Sequence, residues 1–121
     1  MMKVTLTKSF TFEAAQYLPS FPEDHKCRKI HGHSFTIEVS ISGEVDEQTG
    51  IFVDHAEISR AMEPLLAQVD HACLNHIPGL ENPTIERLCR WFWNKLMPTL
   101  PGLCEIRIYE TQRAWCTYRG M

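Results

Sequence analysis

The chain has 121 residues, 44% hydrophobic and 22% charged. That suffices for one core in one domain over residues 1–121 and excludes a disordered or fibrous chain. Twelve Lys and Arg against fifteen Asp and Glu give a net charge of −3, which argues against a general nucleic-acid binder, whose phosphate-facing surface would be basic. No stretch approaches the roughly 18 apolar residues of a membrane span, so no membrane partner is expected. The opening Met-Met-Lys-Val-Thr-Leu lacks the apolar centre of a secretory leader. Five cysteines, an odd number with no CxxC spacing, read as reduced thiols, and the expected location is cytoplasmic.

Residues 3–15 alternate, with Val4, Leu6, Phe10, Phe12 and Ala14 on one parity and Lys8 breaking it. This predicts a strand with one apolar face. Residues 33–42 alternate more strictly: Phe35, Ile37, Val39 and Ile41 face one way, and Ser34, Thr36, Glu38, Ser40 and Ser42 the other. A turn-rich stretch follows from Gly43 to Gly50. Asp54 then starts a helix, with Glu57 three residues on as a capping box and an apolar stripe of Ile58, Ala61, Met62, Leu65 and Val69. Pro64 lies inside that stripe and predicts a kink or a fresh start. Residues 70–82 read as a loop. Asn82-Pro83 reads as the opening of a second helix, Asn as its cap and Pro at its first position. Ile85, Leu88, Cys89, Phe92 and Leu96 form its stripe, and Pro98 stops it. Residues 104–111 and 114–119 read as a closing hairpin around Gln112-Arg113. The order ββααββ predicts an α+β fold, an antiparallel four-stranded sheet with two helices covering one face. Its open edges make an oligomer a natural expectation.

Polar residues intrude on the apolar parity near the strand ends. His31 and His33 extend the face of Phe35, Ile37 and Val39, Gln16 extends that of Phe12 and Ala14, and Glu110 extends that of Ile106 and Ile108. Polar groups on such a face must be paired or serve a ligand. His31-Gly32-His33 puts two imidazoles two residues apart on an extended chain, a spacing that suits two ligands of one zinc ion as well as a plain histidine pair. Cys27 lies in His25-Lys26-Cys27-Arg28-Lys29. Cations favour a thiolate, so Cys27 reads either as a base or nucleophile or as a free loop cysteine. The same basic cluster suits an anionic group such as a phosphate. Asp70-His71 is either a carboxylate fixing an imidazole tautomer or a polar pair at a helix end. Cys73, Cys89, Cys104 and Cys116 read as structural, Trp91, Trp93 and Trp115 as core or subunit contacts, and His25, His55 and His76 as unpartnered.

Phe12-Glu13-Ala14-Ala15, Cys27-x3-His31-Gly32-His33-Ser34, Asp70-His71, Asn82-Pro83-Thr84, Tyr109-Glu110-Thr111 and Tyr118-Arg119-Gly120 follow one another in that order. As a set they resemble the 6-pyruvoyltetrahydropterin synthase family over nearly the whole chain, in particular its queuosine-pathway branch, which shares the three-residue gap between Cys27 and His31. The resemblance implies a tunnelling fold (T-fold), in which three subunits close a twelve-stranded barrel and two trimers stack as a homohexamer with active sites between subunits. It implies zinc, held in the family by three histidines of which His31 and His33 match two. It implies a catalytic thiol at Cys27, a proton-relay pair at Asp70 and His71, and a carboxylate at Glu110 that grips the pterin's amino and ring N–H groups. The implied reaction takes 7,8-dihydroneopterin triphosphate to 6-carboxytetrahydropterin, acetaldehyde and triphosphate, the pyruvoyl-forming reaction on the same substrate being the alternative.

Two features depart from the family pattern. Gln16 stands where the first zinc histidine should fall, and an amide oxygen is a poorer zinc ligand than imidazole. Three outcomes follow: Gln16 ligates through its oxygen, a water or substrate oxygen fills the place, or the metal is lost and the chain is a non-catalytic pterin-binding paralogue. Gln112-Arg113-Ala114-Trp115 is also bulkier than the small residues usual after Glu110, and Trp115 either narrows the pocket or packs at a subunit joint.

Overall fold

The computed structural model describes residues 1–121, and the alternating stretches form strands longer than their apolar patterns. The elements are β1 (Lys3–Gln16), β2 (His31–Glu44), α1 (His55–Val69), α2 (Ile85–Leu96), β3 (Leu103–Thr111) and β4 (Ala114–Tyr118), with 3₁₀ turns at Lys26–Arg28 and Leu74–His76. The sheet is antiparallel in the order β1-β2-β3-β4, the ββααββ arrangement the pattern predicts. Phe12, Phe35, Ile37, Val39, Ile41, Ile106 and Ile108 from the sheet are buried against Ile58, Met62, Leu65, Val69, Leu88, Phe92 and Leu96 from the helices. Each such side chain contributes about 1.5–3 kcal/mol by leaving water. Lys8, the exception in β1, reaches the helix layer and donates from Nζ to Ser59 Oγ.

Asp54 caps α1 as expected, its carboxylate accepting the N–H of Ala56 at 2.9 Å. Glu57 does not close a capping box; it pairs with Arg60 at 2.7 Å instead. α1 does not restart at Pro64 but runs through it. Pro64 is exposed, so the carbonyl left without its usual donor sits on the side where water can replace it.

The second helix begins later than the Asn82-Pro83 signature suggests. Its cap is Thr84, whose hydroxyl accepts the N–H of Arg87 at 3.2 Å. Asn82 is drawn elsewhere, its side-chain amide donating to Ser20 Oγ at 3.1 Å. Thr84→Ala is expected to cost about 1 kcal/mol, read as a lower denaturant midpoint at unchanged slope. An unchanged midpoint would show that α2 does not depend on this cap.

Two register shifts shape the sheet. One lies between Ser40 and Ile41 on β2. The other leaves Glu110 unpaired between Tyr109, opposite Trp115, and Thr111, opposite Ala114. A bulge of this kind bends the strand and re-aims a side chain.

Candidate active site

The ladder between β1 and β2 continues to the pair Gln16 and His31, with Ala14 opposite His33. The ladder between β2 and β3 ends at Thr36 and Tyr109. A cleft of about 460 Å³ opens there, lined by Gln16, Leu18, Lys26, Cys27, His31, His33 and Glu110. The strand-end residues singled out by parity therefore meet in one place. Cys27 and Lys26 join them on the loop between β1 and β2.

Both imidazoles are oriented by backbone carbonyls. His31 Nδ1 lies 2.8 Å from the Lys29 carbonyl and His33 Nδ1 lies 2.7 Å from that of Ser34. A carbonyl only accepts, so each Nδ1 carries a proton, and in the neutral ring Nε2 is the nitrogen left with a lone pair. A histidine poised as a ligand has this arrangement. The His33 ring also stacks on Phe35, centroids 4.6 Å apart, which ties it to the core. Gln16 is 2% exposed, and its Oε1 is buried without a hydrogen-bond partner. Nowhere in the chain do three His, Cys, Asp or Glu side chains come together in metal-ligand geometry.

Cys27 sits in the 3₁₀ turn Lys26–Arg28. Its N–H donates to His25 Nδ1 at 3.0 Å, and its carbonyl accepts the N–H of Leu18 at 2.8 Å. His25, unpartnered by the sequence reading, thus caps the turn that carries the thiol, and it stacks on Phe21 with centroids 4.2 Å apart. The signal was its place two residues before Cys27, where a side-chain acceptor can cap a turn.

Asp70 and His71 lie along the outer edge of β1. Asp70 Oδ1 accepts the N–H of Glu13 at 3.0 Å, His71 N–H donates to the Glu13 carbonyl, and Ala15 N–H donates to that of Ala72. An edge strand has these groups free, and the segment after α1 uses them. His71 takes the left-handed conformation, φ 59°. Its Nδ1 is 3.1 Å from Asp70 Oδ1, and both side chains are solvent-accessible.

The Glu13 N–H holds the Asp70 carboxyl below its ordinary range; desolvation opposes this, and His71 adds to the lowering. A depressed folded-state value means that the interaction stabilises above the pH where the unfolded carboxyl titrates. That stability is lost as pH falls through the folded value. An NMR titration of the Asp70 carboxyl is expected to show a midpoint below that of aspartate in an unstructured peptide. A midpoint at or above it would mean that the Glu13 bond does not persist in solution.

Within one chain Cys27 and His71 line different clefts. His71 lines a second cleft of about 450 Å³ with Glu13, Ala14, Ala15, Gly32, His33, Ser34, Ala72 and Cys73, and the two clefts share Ala14's neighbour His33 alone. Glu13 was missed by the sequence reading. Its carboxylate accepts from Ser34 Oγ at 2.7 Å, and its peptide group holds Asp70 and His71. Asn75, also missed, is buried and bonds both peptide groups of Tyr17, fixing the chain just after Gln16. Cys89 is buried on α2, and burial, with the neighbouring Cys116, pushes its thiol up, in keeping with a structural role. Trp91 and Trp93 belong to the core, whereas Trp115 is 49% exposed and packs on Tyr109.

Known proteins share this architecture. A family model described as 6-pyruvoyl tetrahydropterin synthase matches residues 5–121. The 6-carboxy-5,6,7,8-tetrahydropterin synthase of Synechocystis is 36% identical over 110 residues, covering 86% of this chain and 84% of its own. The 6-pyruvoyl tetrahydrobiopterin synthase of Dictyostelium discoideum is 37% identical over 100 residues, covering 78% and 74%. The solved 6-pyruvoyl tetrahydropterin synthase of Caenorhabditis elegans superposes with a TM-score of 0.90 at 27% identity, over 100% of this chain and 98% of that one. Matched from Thr5 to Met121, the chain belongs to the 6-pyruvoyl tetrahydropterin synthase family, a family of pterin-synthesising lyases.

Proposed function

We propose that this chain is a zinc-dependent 6-carboxytetrahydropterin synthase. It would convert 7,8-dihydroneopterin triphosphate and water to 6-carboxytetrahydropterin, acetaldehyde and triphosphate, a step of queuosine synthesis in the cytoplasm. The observation that carries the reading is the single cleft that joins Cys27, His31, His33 and Glu110. The residues fit the metal ion the family implies. Two imidazoles present Nε2 with Nδ1 anchored, and an amide oxygen lies buried and unpaired beside them. When bound, zinc supplies Lewis-acid polarisation of oxygens on the substrate side chain.

Glu110 accepts two parallel hydrogen bonds from the pterin's amino and ring N–H groups. Lys26, at the rim, faces the triphosphate. Cys27 acts as a thiolate that takes a proton from the substrate side chain, and His71, oriented by Asp70, gives or receives the partner proton. Because His71, with Asp70 hydrogen-bonded to it, lines a different cleft from Cys27, the complete set would be assembled between subunits. β1 and β4 are the edge strands of the sheet. Pairing β4 with the stretch of β1 before Glu13, which the segment after α1 leaves free, would close a trimeric ring between copies, and two rings would stack as a homohexamer.

The test is product analysis by mass spectrometry after incubation with 7,8-dihydroneopterin triphosphate and zinc. Appearance of 6-carboxytetrahydropterin with acetaldehyde supports the reading. A 6-pyruvoyl product would move the chain to the activity named for the Dictyostelium relative. Intact substrate that nevertheless binds would make it a non-catalytic pterin-binding protein, the alternative that Gln16 in place of a histidine raises.

A further inference from the structure

The third donor in the cleft differs in kind from the two imidazoles. Gln16 ends β1 directly opposite His31. The backbone on either side of it is fixed, Ala15 by Ala72 and Tyr17 by the buried Asn75. Its Oε1 is held out of water with no hydrogen bond, an arrangement that is costly unless something else meets the oxygen. No third His, Cys, Asp or Glu side chain approaches in ligand geometry. A three-donor set in this cleft therefore takes its third member from another class of side chain, and Gln16 is the buried one available.

We infer that Gln16 Oε1 is the third protein ligand, forming a neutral two-nitrogen, one-oxygen site that discriminates less for zinc over manganese(II). Imidazole suits zinc, copper, iron and nickel, whereas carbonyl oxygen suits magnesium, calcium and manganese. Exchanging one imidazole for an amide oxygen thus weakens zinc more than it weakens manganese. Zinc still ranks above manganese in absolute affinity, as the general order of divalent ions requires. This inference rests on the metal reading of the cleft, but it concerns which ion binds and is measured without turnover.

The experiment titrates the full-length, chelator-stripped protein with zinc or with manganese by calorimetry, in wild type, Gln16→His and Gln16→Leu. Wild type is expected to take one zinc per chain. Gln16→His should bind zinc roughly 10–100-fold more tightly, a range that changes beside a metal ligand already produce, with a smaller gain for manganese. Gln16→Leu should weaken both ions, and Gln16→Ala repeats that comparison if the leucine variant fails to fold. The cobalt(II)-loaded wild type should show no thiolate-to-metal charge-transfer band. The inference is overturned if wild type takes up no zinc, if removing the Gln16 oxygen leaves affinity unchanged, or if wild type and Gln16→His share one zinc-to-manganese ratio. A thiolate band would also overturn it, by making Cys27 the third ligand. Affinities that divide as expected without product formation would remove the synthase reading and leave this assignment standing. Products formed with undivided affinities would remove this assignment alone.

Discussion

Replacing Cys27 by alanine is expected to lower kcat by about 10²–10⁴-fold, the usual contribution of a positioned proton-transfer group, with little change in stability. The two effects separate because the turn is held by peptide groups. Cys27 N–H donates to His25 and its carbonyl accepts from Leu18, and alanine keeps both bonds. The half-buried thiol makes no hydrogen bond of its own to fold upon. Thermal unfolding should thus stay within about 0.5 kcal/mol of wild type, and substrate binding, assigned above to Glu110 and Lys26, should be kept. Unreduced turnover in Cys27→Ala would remove the thiol from the mechanism. Lost turnover accompanied by a lowered Tm would instead mark Cys27 as structural.

The second large effect is on the fold beneath the site. Phe12 is 2% exposed. It stacks on Phe35 with centroids 4.9 Å apart and leans on Phe92 at 6.0 Å, so one ring joins β1, β2 and α2. Phe12→Ala leaves a cavity walled by three elements that cannot all close at once. The expected loss is about 3–5 kcal/mol, or a fall in Tm of roughly 10–20 °C for a domain of this size. Calorimetry under conditions of reversible unfolding measures it directly. A loss below about 1 kcal/mol would mean that the helices collapse onto the sheet and fill the space. Gln16 lies four residues along the same strand face, so the variant should also loosen the cleft.

The strict alternation of residues 35–41 made β2 and its buried face legible, because period two admits no other half-buried element. Parity carried the reading further, from Phe35 back to His31 and from Phe12 on to Gln16, and the antiparallel register brings those ends together. What local pattern does not encode is long-range pairing. Nothing in Asp70-His71-Ala72-Cys73 states that it will lie along β1, since that depends on which strand edge is left free. The start of α2 misled for a different reason. Asn82 and Thr84 are both good caps two residues apart, and Ser20, 62 positions away, takes the amide of the first. The bulge at Glu110 was equally hidden, because its cause is a register shift against β4 rather than any residue that forbids a regular strand.

The conformation of His71 sets a conflict between durability and chemistry. A side chain in the left-handed region at φ 59° carries a strain of roughly 1 kcal/mol or more, which glycine would relieve. A molecule selected for robustness alone would drift to glycine at that position, keep the bonds its peptide makes along β1, and lose the imidazole. Under the proton-transfer role proposed for His71, screens of this chain for heat resistance should therefore enrich a variant that melts later and turns over nothing. Persistence of His71 among natural variants would then record selection on catalysis, acting against the grain of the backbone.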